Sequence, residues 1–358
     1  MREPIAIIGE GCILPGCASP DDLWQTIEKG QVNISSPHPD YWRISKEKVE
    51  LQPDDTDIIG KKTLTDRGGY ISGFDSVFNP ADYLLNPDFV QTLDPVFKWA
   101  FYAAGAALKD SGYLLDNSQQ KGNTGIIMGN LSYPSYSFNL LFEDIYLNEF
   151  FPETKTRPLH PINRFMSGLP AILTGKALGL EGVAYALDAA CASSLYAIKL
   201  AADRLTNSKY GGSEYMMLAG GINAADSLFL HMGFTALTAI SPTGQSRPFN
   251  KYADGLLPSE GCAFVVLKRL SDALKDEDNI KGVIRGIGLS NDGRSGGFLL
   301  PSVEGQKRCI SRAFENSDID IKDISLLECH ATGTRGGDEA EIDTMIDLFS
   351  ECNDLKIS

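Results

Sequence analysis

The stretch Ala186–Leu200, ALDAACASSLYAIKL, changes its hydrophobic pattern halfway along. The apolar run Val183–Leu187 leads into small residues, and from Leu195 to Leu205 apolar residues follow a helical pattern. The expected local structure is a strand, a tight elbow and a helix, with Cys191 at the elbow. A thiol in the first turn of a helix lies near unpaired N–H groups and the positive end of the helix dipole, which favour the nucleophilic thiolate. Its neighbours Ala189, Ala190, Ala192 and Ser193 are small enough to leave room for a substrate. Free cysteines are also common in protein cores, so this segment alone leaves both a nucleophile and a buried structural thiol open.

Outward from the elbow, short apolar runs alternate with helical patterns. Ile5–Ile8, Gly125–Met128, Val183–Leu187, Tyr215–Ala219, Phe264–Leu267, Val283–Leu289 and Ile324–Cys329 read as strands. Phe97–Leu108, with Gly112 as its stop, Leu195–Leu205, Val303–Phe314 and Glu339–Phe349 read as helices. This alternation implies a layered α/β architecture with mainly parallel sheets. Residues 30–90, rich in Pro, Asp and Gly, read as surface loops with short elements, and the polar segment Ser271–Asn279 separates a long first part from a short second one.

With 358 residues, 43% of them hydrophobic, the chain has ample apolar surface for a core. Its net charge of -15 argues against a general nucleic-acid or anionic-membrane surface, because both need clustered cations. No apolar run reaches the roughly 18 residues of a membrane span, and the opening MREPIAIIGEG is too short for a signal-peptide core, so a cytoplasmic protein is expected. Seven cysteines without a CxxC pair indicate neither a disulfide framework nor a zinc site, and no metal is expected.

Four histidines bound the search for a base or oxyanion donor. His330 follows the apolar run ISLLEC and opens the glycine-rich turn HATGTRGGDEAE, so it projects from a strand end. His38 and His160, beside prolines, read as surface or packing residues, and His231 in FLHMGF as a satisfied, partly buried histidine. Asp338 and Glu341 have the D-x-x-E spacing of a helix capping box. The GxG of GIGLSND lacks the third glycine of a dinucleotide fingerprint, and its helix is expected only from about Ser302, so no nucleotide site is assigned.

Five blocks together resemble the β-ketoacyl synthase family in order and spacing: DAACASSL around Cys191, SPTGQSRPFN from Ser241, ADGLLPSEGCAFVVLKRL from Ala253, SNDGRSGG from Ser290 and ECHATGTRGGDEAE from Glu328. LDPVFKW at Leu93 and RFMSGLPA at Arg164 are most similar to ketosynthase domains of type I polyketide and polyunsaturated or glycolipid-type fatty acid synthases. The resemblance implies an α/β, thiolase-like five-layer αβαβα sandwich. Residues 1–268 would be the N-terminal half carrying the nucleophile, and residues 269–358 the start of a C-terminal half that is incomplete.

The same resemblance implies the chemistry. Cys191 would accept an acyl chain, and His330 would hold the carbonyl oxygen of a malonyl thioester while carbon dioxide leaves. Thr332 and Thr334 would bind a phosphopantetheine arm, supported by the acidic Asp338 and Glu341. No cofactor would be bound by the chain, since its substrates ride on the phosphopantetheine of an acyl carrier protein. That carrier is the expected partner, with a homodimer or a complex with other synthase subunits. Ala331 stands where the family usually has glycine, and the family's later lysine, its N-x-G-H block and its second histidine find no match before Ser358. Three readings stand against an acyltransferase: a partner subunit or non-catalytic fragment; a thiolase, for which Cys352 lacks the expected surroundings; and a Cys-His hydrolase.

Overall fold

The computed structural model of the chain describes residues 3–39, 41–52, 55, 62–113, 123–150, 160–206, 214–294, 300–315, 317–352 and 355–357. Its strands are β1 (Ile5–Ile13), β2 (Thr124–Asn130), β3 (Ala184–Leu187), β4 (Met216–Asn223), β5 (Gly261–Arg269), β6 (Gly282–Ile284), β7 (Leu326–Leu327) and β8 (Lys356–Ile357). The first six form one sheet in the order β3-β2-β4-β5-β1-β6, and β7 pairs with β8. β2 is parallel to β3 and β4, but β5 is antiparallel to β4 and β1, and β6 is antiparallel to β1. The expectation of mainly parallel sheets is therefore corrected to a mixed sheet. A connecting helix permits a parallel neighbour without requiring one, and β5, inserted between β4 and β1, fills its hydrogen-bonding ladder in the opposite direction.

Helices cover both faces of this sheet. α1 (Pro95–Asp110) and α2 (Leu169–Leu178) pack on one face, and α3 (Ser193–Thr206) packs on the other. Strand alternation sorts the side chains: Met216 and Leu218 of β4 face the first layer, whereas Met217 and Ala219 face α3. α1 starts where Asp94 accepts the N–H of Val96 ahead of Pro95, and it stops at Ser111 before Gly112, whose φ of +80° is open to glycine. It buries Phe97 and Phe101 completely, so Phe101→Ala is expected to cost about 3–5 kcal/mol.

Beyond the sheet lie α4 (Ser227–Ala236), α5 (Val303–Glu315) and α6 (Arg335–Phe349), the last two packed together through Phe314 and Phe349. The expected helices are found with ends moved by up to four residues, the largest change being the earlier start of α6. Two expected strands keep only two of their residues in strand, Val283–Ile284 and Leu326–Leu327. Val283–Leu289 pairs only as far as Ile284, opposite Ile5 at the start of β1, and Pro4 beyond it has no N–H to continue the ladder. A Cβ on Gly288 would stand 1.9 Å from the Cys309 carbonyl oxygen, and the Cys309 thiol and Arg312 guanidinium donate to the carbonyls of Gly288 and Leu289 at 2.9 and 2.6 Å. Side chains thus satisfy a backbone that would otherwise seek a strand partner. Within the run Ile324–Cys329, Leu326 and Leu327 pair with Lys356 and Ile357 of β8. Residues 295–297 of the SNDGRSGG block lie outside the described residues. No described helix is long and apolar enough to cross a membrane.

Candidate active site

The expected strand–elbow–helix is present, but Cys191 stands two residues before α3 rather than in its first turn. The chain turns sharply here because Ala190 adopts φ +49°, a left-handed conformation unusual for a residue with a side chain. Asp188 stabilises that turn by accepting the N–H of Ala190 at 3.0 Å and that of Ser132 at 3.2 Å. Buried Ser193 adds a second tie: its hydroxyl accepts from Ala189 N–H at 2.8 Å and donates to the Ala190 carbonyl at 2.6 Å. Ser193 is therefore a staple of the elbow as well as a small neighbour. The start of α3 rests on the end of β2, where a Cβ on Gly129 would lie 2.7 Å from the Ser193 carbonyl carbon.

His330 enters from the turn between β7 and α6. The capping box expected of Asp338 and Glu341 does not form: the N-cap is Thr334, and Asp338 lies inside α6. Helical geometry begins early enough for both carboxylates to point back at the turn. Glu341 accepts the N–H groups of His330 and Ala331 at 2.7 and 2.8 Å. Asp338, 5% exposed, accepts those of Gly333 at 3.0 Å and Phe249 at 2.6 Å, joining the turn to the segment before β5. Ala331, like Ala190, is left-handed at φ +48°.

The two turns meet. Among the seven free thiols, Cys191 alone is exposed. Interaction with the His330 ring, on the same cavity wall, lowers the Cys191 pKa from 9.0; partial desolvation opposes this, while the charge of the ring adds to it. The same interaction raises the pKa of His330 from 6.5, with burial opposing and with Cys191, Glu341 and Asp338 assisting electrostatically. Both shifts favour a thiolate–imidazolium pair. The buried thiols Cys12 and Cys262 are pushed upward by desolvation, which keeps them protonated and poorly nucleophilic.

Cys191, His330 and Thr332 line one cavity of about 490 Å³, whose other walls include Leu131, Leu230, Phe234, Leu257 and Cys262. Its mainly apolar wall beside a reactive pair suits an acyl group. Thr334 lines a different hollow, of about 320 Å³, with Arg335 and Asp254, although its hydroxyl lies 2.8 Å from that of Thr332. The remaining histidines stand elsewhere. His231 is fully buried between the carbonyls of Ser227 and Arg67, at 2.7 and 3.1 Å, and burial lowers its pKa. His160 accepts from Ile162 N–H and packs on Phe89, and His38 is exposed. No group of three His, Cys, Asp or Glu side chains that could hold a metal occurs among the described residues. Asp188 was not singled out from the sequence, although an aspartate directly before a run of small residues is a recognisable turn former.

Residues 2–273 match the family model for the beta-ketoacyl synthase N-terminal domain, and residues 281–358 match that for its C-terminal domain. The chain is 33% identical, over 96% of its length, to a phenolphthiocerol/phthiocerol polyketide synthase of Mycobacterium tuberculosis, of which it covers 18%. It is 30% identical, over 98% of its length, to a polyunsaturated fatty acid synthase of a Thraustochytrium species, of which it covers 13%. The chain thus spans less than a fifth of these relatives. Among solved structures, the PfaC keto synthase-chain length factor superposes with a TM-score of 0.89 at 37% identity, covering 99% of this chain and 39% of that one. Its α/β architecture is accordingly the thiolase-like fold of the ketosynthases. With sequence models accounting for nearly every residue and the superposition covering the same span, this chain belongs to the beta-ketoacyl synthase family.

Proposed function

We propose that this chain acts as an acyltransferase of decarboxylative condensation in fatty acid or polyketide biosynthesis, using thioesters on the phosphopantetheine of an acyl carrier protein. The observation that carries the reading is the pairing of an exposed, pKa-lowered Cys191 with His330 in an apolar cavity. The Cys191 thiolate attacks the carbonyl carbon of an acyl thioester. The bond from that carbon to the carrier sulfur breaks, and the departing thiolate takes a proton from the His330 imidazolium. In the second half-reaction, loss of carbon dioxide from a malonyl thioester leaves its electron pair as an enolate. The His330 ring stabilises the enolate oxygen by a hydrogen bond. Attack of the enolate carbon on acyl-Cys191 forms the carbon–carbon bond and returns the thiolate, giving a 3-oxoacyl thioester.

In the same reading Thr332, on the wall of the Cys191 cavity, contacts the arm beside its sulfur, and Thr334 contacts it further out. A cytoplasmic setting, and assembly as a homodimer or with other synthase subunits, belong to the same reading. The test is intact mass spectrometry after incubation with an acyl carrier thioester. One acyl group on Cys191, absent in Cys191→Ala, supports acyl transfer, and release of carbon dioxide with a 3-oxoacyl product supports condensation. Carrier binding without acylation would instead favour a non-catalytic partner, and steady release of free acid a hydrolase.

A further inference from the structure

A second cavity, of about 710 Å³, lies beside the Cys191 cavity, and Leu14 and Leu257 line both. Arg67 is the one charged side chain among its described lining residues, a notable sign of charge in a chain whose net charge is -15. The arginine is held in place. Its guanidinium donates to the Ile34 carbonyl at 2.8 Å, on the cavity wall. Its stem packs against the turn at Gly244, where a Cβ would stand 2.5 Å from Arg67 Cγ, and its own carbonyl lies 3.1 Å from the buried His231 ring. A guanidinium fixed in this way loses little side-chain freedom when it pairs with an anion. Around it the aliphatic residues Leu14, Leu23, Val32, Ile34 and Leu257 form an apolar wall.

From this arrangement we infer that the cavity is a binding site for a medium-chain alkyl carboxylate. One guanidinium matches a monoanionic carboxylate through paired hydrogen bonds, whereas a phosphate dianion would leave charge unpaired. The aliphatic wall takes the alkyl chain, and the cavity volume falls within the usual range for small-molecule sites. Such a ligand is the hydrolysed form of an acyl group. That identification rests on the acyl-transfer reading of Cys191, but binding at Arg67 does not.

The test is equilibrium dialysis of radiolabelled decanoate against the full chain with Cys191 carbamidomethylated. Saturable binding of one equivalent is expected, weakened at least tenfold in Arg67→Met and in Val32→Trp, an exposed lining position where the indole fills the cavity. Decanol should bind at least tenfold more weakly than decanoate. Arg67→Lys, which retains a cation near the Ile34 carbonyl, should bind with intermediate affinity, separating loss of the carboxylate partner from loss of fold. Absence of saturable binding, binding unchanged in both Arg67→Met and Val32→Trp, equal binding of decanol, or loss of binding on carbamidomethylation alone would overturn the inference. Failure of Cys191 to accept acyl groups would leave this measurement unchanged, so the two readings fail separately.

Discussion

The carboxylate of Glu341 accepts the backbone N–H of His330 at 2.7 Å and that of Ala331 at 2.8 Å, so a side chain of α6 fixes the turn that carries the candidate catalytic ring. Glu341→Gln turns one of the two accepting oxygens into an NH2 group that cannot accept, leaving one weaker, neutral bond and one unpaired N–H donor. A loss of about 1.5–3 kcal/mol is expected in denaturant unfolding, together with slower iodoacetamide alkylation of Cys191 as His330 loses its position. Unchanged alkylation would separate Glu341 from the placement of His330.

Cys191 and His330 stabilise each other's charged forms. His330→Gln should therefore move the alkylation pH profile of Cys191 to higher pH. The sign also fixes a stability window. The raised His330 pKa contributes stability that is full below 6.5 and lost as pH rises through its folded value. The lowered Cys191 pKa contributes stability that is full above 9.0 and lost as pH falls through its folded value. The charged pair therefore loses its thiolate as pH falls and its imidazolium as pH rises. Alkylation followed against pH in both proteins checks this, and coincident profiles would contradict it.

Asp338 bridges Gly333 and Phe249 from a buried position. Asp338→Ala strands two N–H donors and should cost about 2–5 kcal/mol in urea unfolding. Asp338→Asn keeps a carbonyl acceptor for at least one of them and should cost less, so equal losses would argue that packing rather than hydrogen bonding is responsible.

Glu260 is buried against Tyr41 and Ile71, accepting from the Tyr41 hydroxyl and from Ile71 N–H at 2.8 Å. Burial pushes its pKa up to about 7, against the lowering effect of those two bonds. Between 4.5 and about 7 the folded chain binds this proton more strongly than the unfolded chain, so stability falls as pH rises through that range. Unfolding measured at several pH values should show this slope in the native chain and a flatter curve in Glu260→Gln.

Thr332→Val removes a hydroxyl from the wall of the Cys191 cavity. Under the proposed function, KM for a carrier-bound acyl thioester should rise about fivefold to tenfold, the equivalent of one hydrogen bond. A short thioester lacking the phosphopantetheine amides should be affected less. Equal effects on both would place Thr332 outside the arm's path.

By itself the sequence determined the elbow at Cys191, the turn at His330, the layered α/β class and the family, because each is written in local pattern: a periodicity switch, small residues around a thiol, a glycine-rich block after a strand. It did not determine strand direction, since β5 satisfies its ladder antiparallel as readily as a crossover allows parallel pairing. Nor did it reveal the work of Asp338 and Glu341, whose spacing reads equally as a helix cap; only the earlier start of α6 turns both carboxylates onto backbone donors that they hold. The meeting of Cys191 with His330, 139 positions apart in sequence, and the wall that Leu14 and Leu257 share between two cavities were decided by tertiary packing alone, because proximity between distant residues is set by how the sheet and helices close on one another.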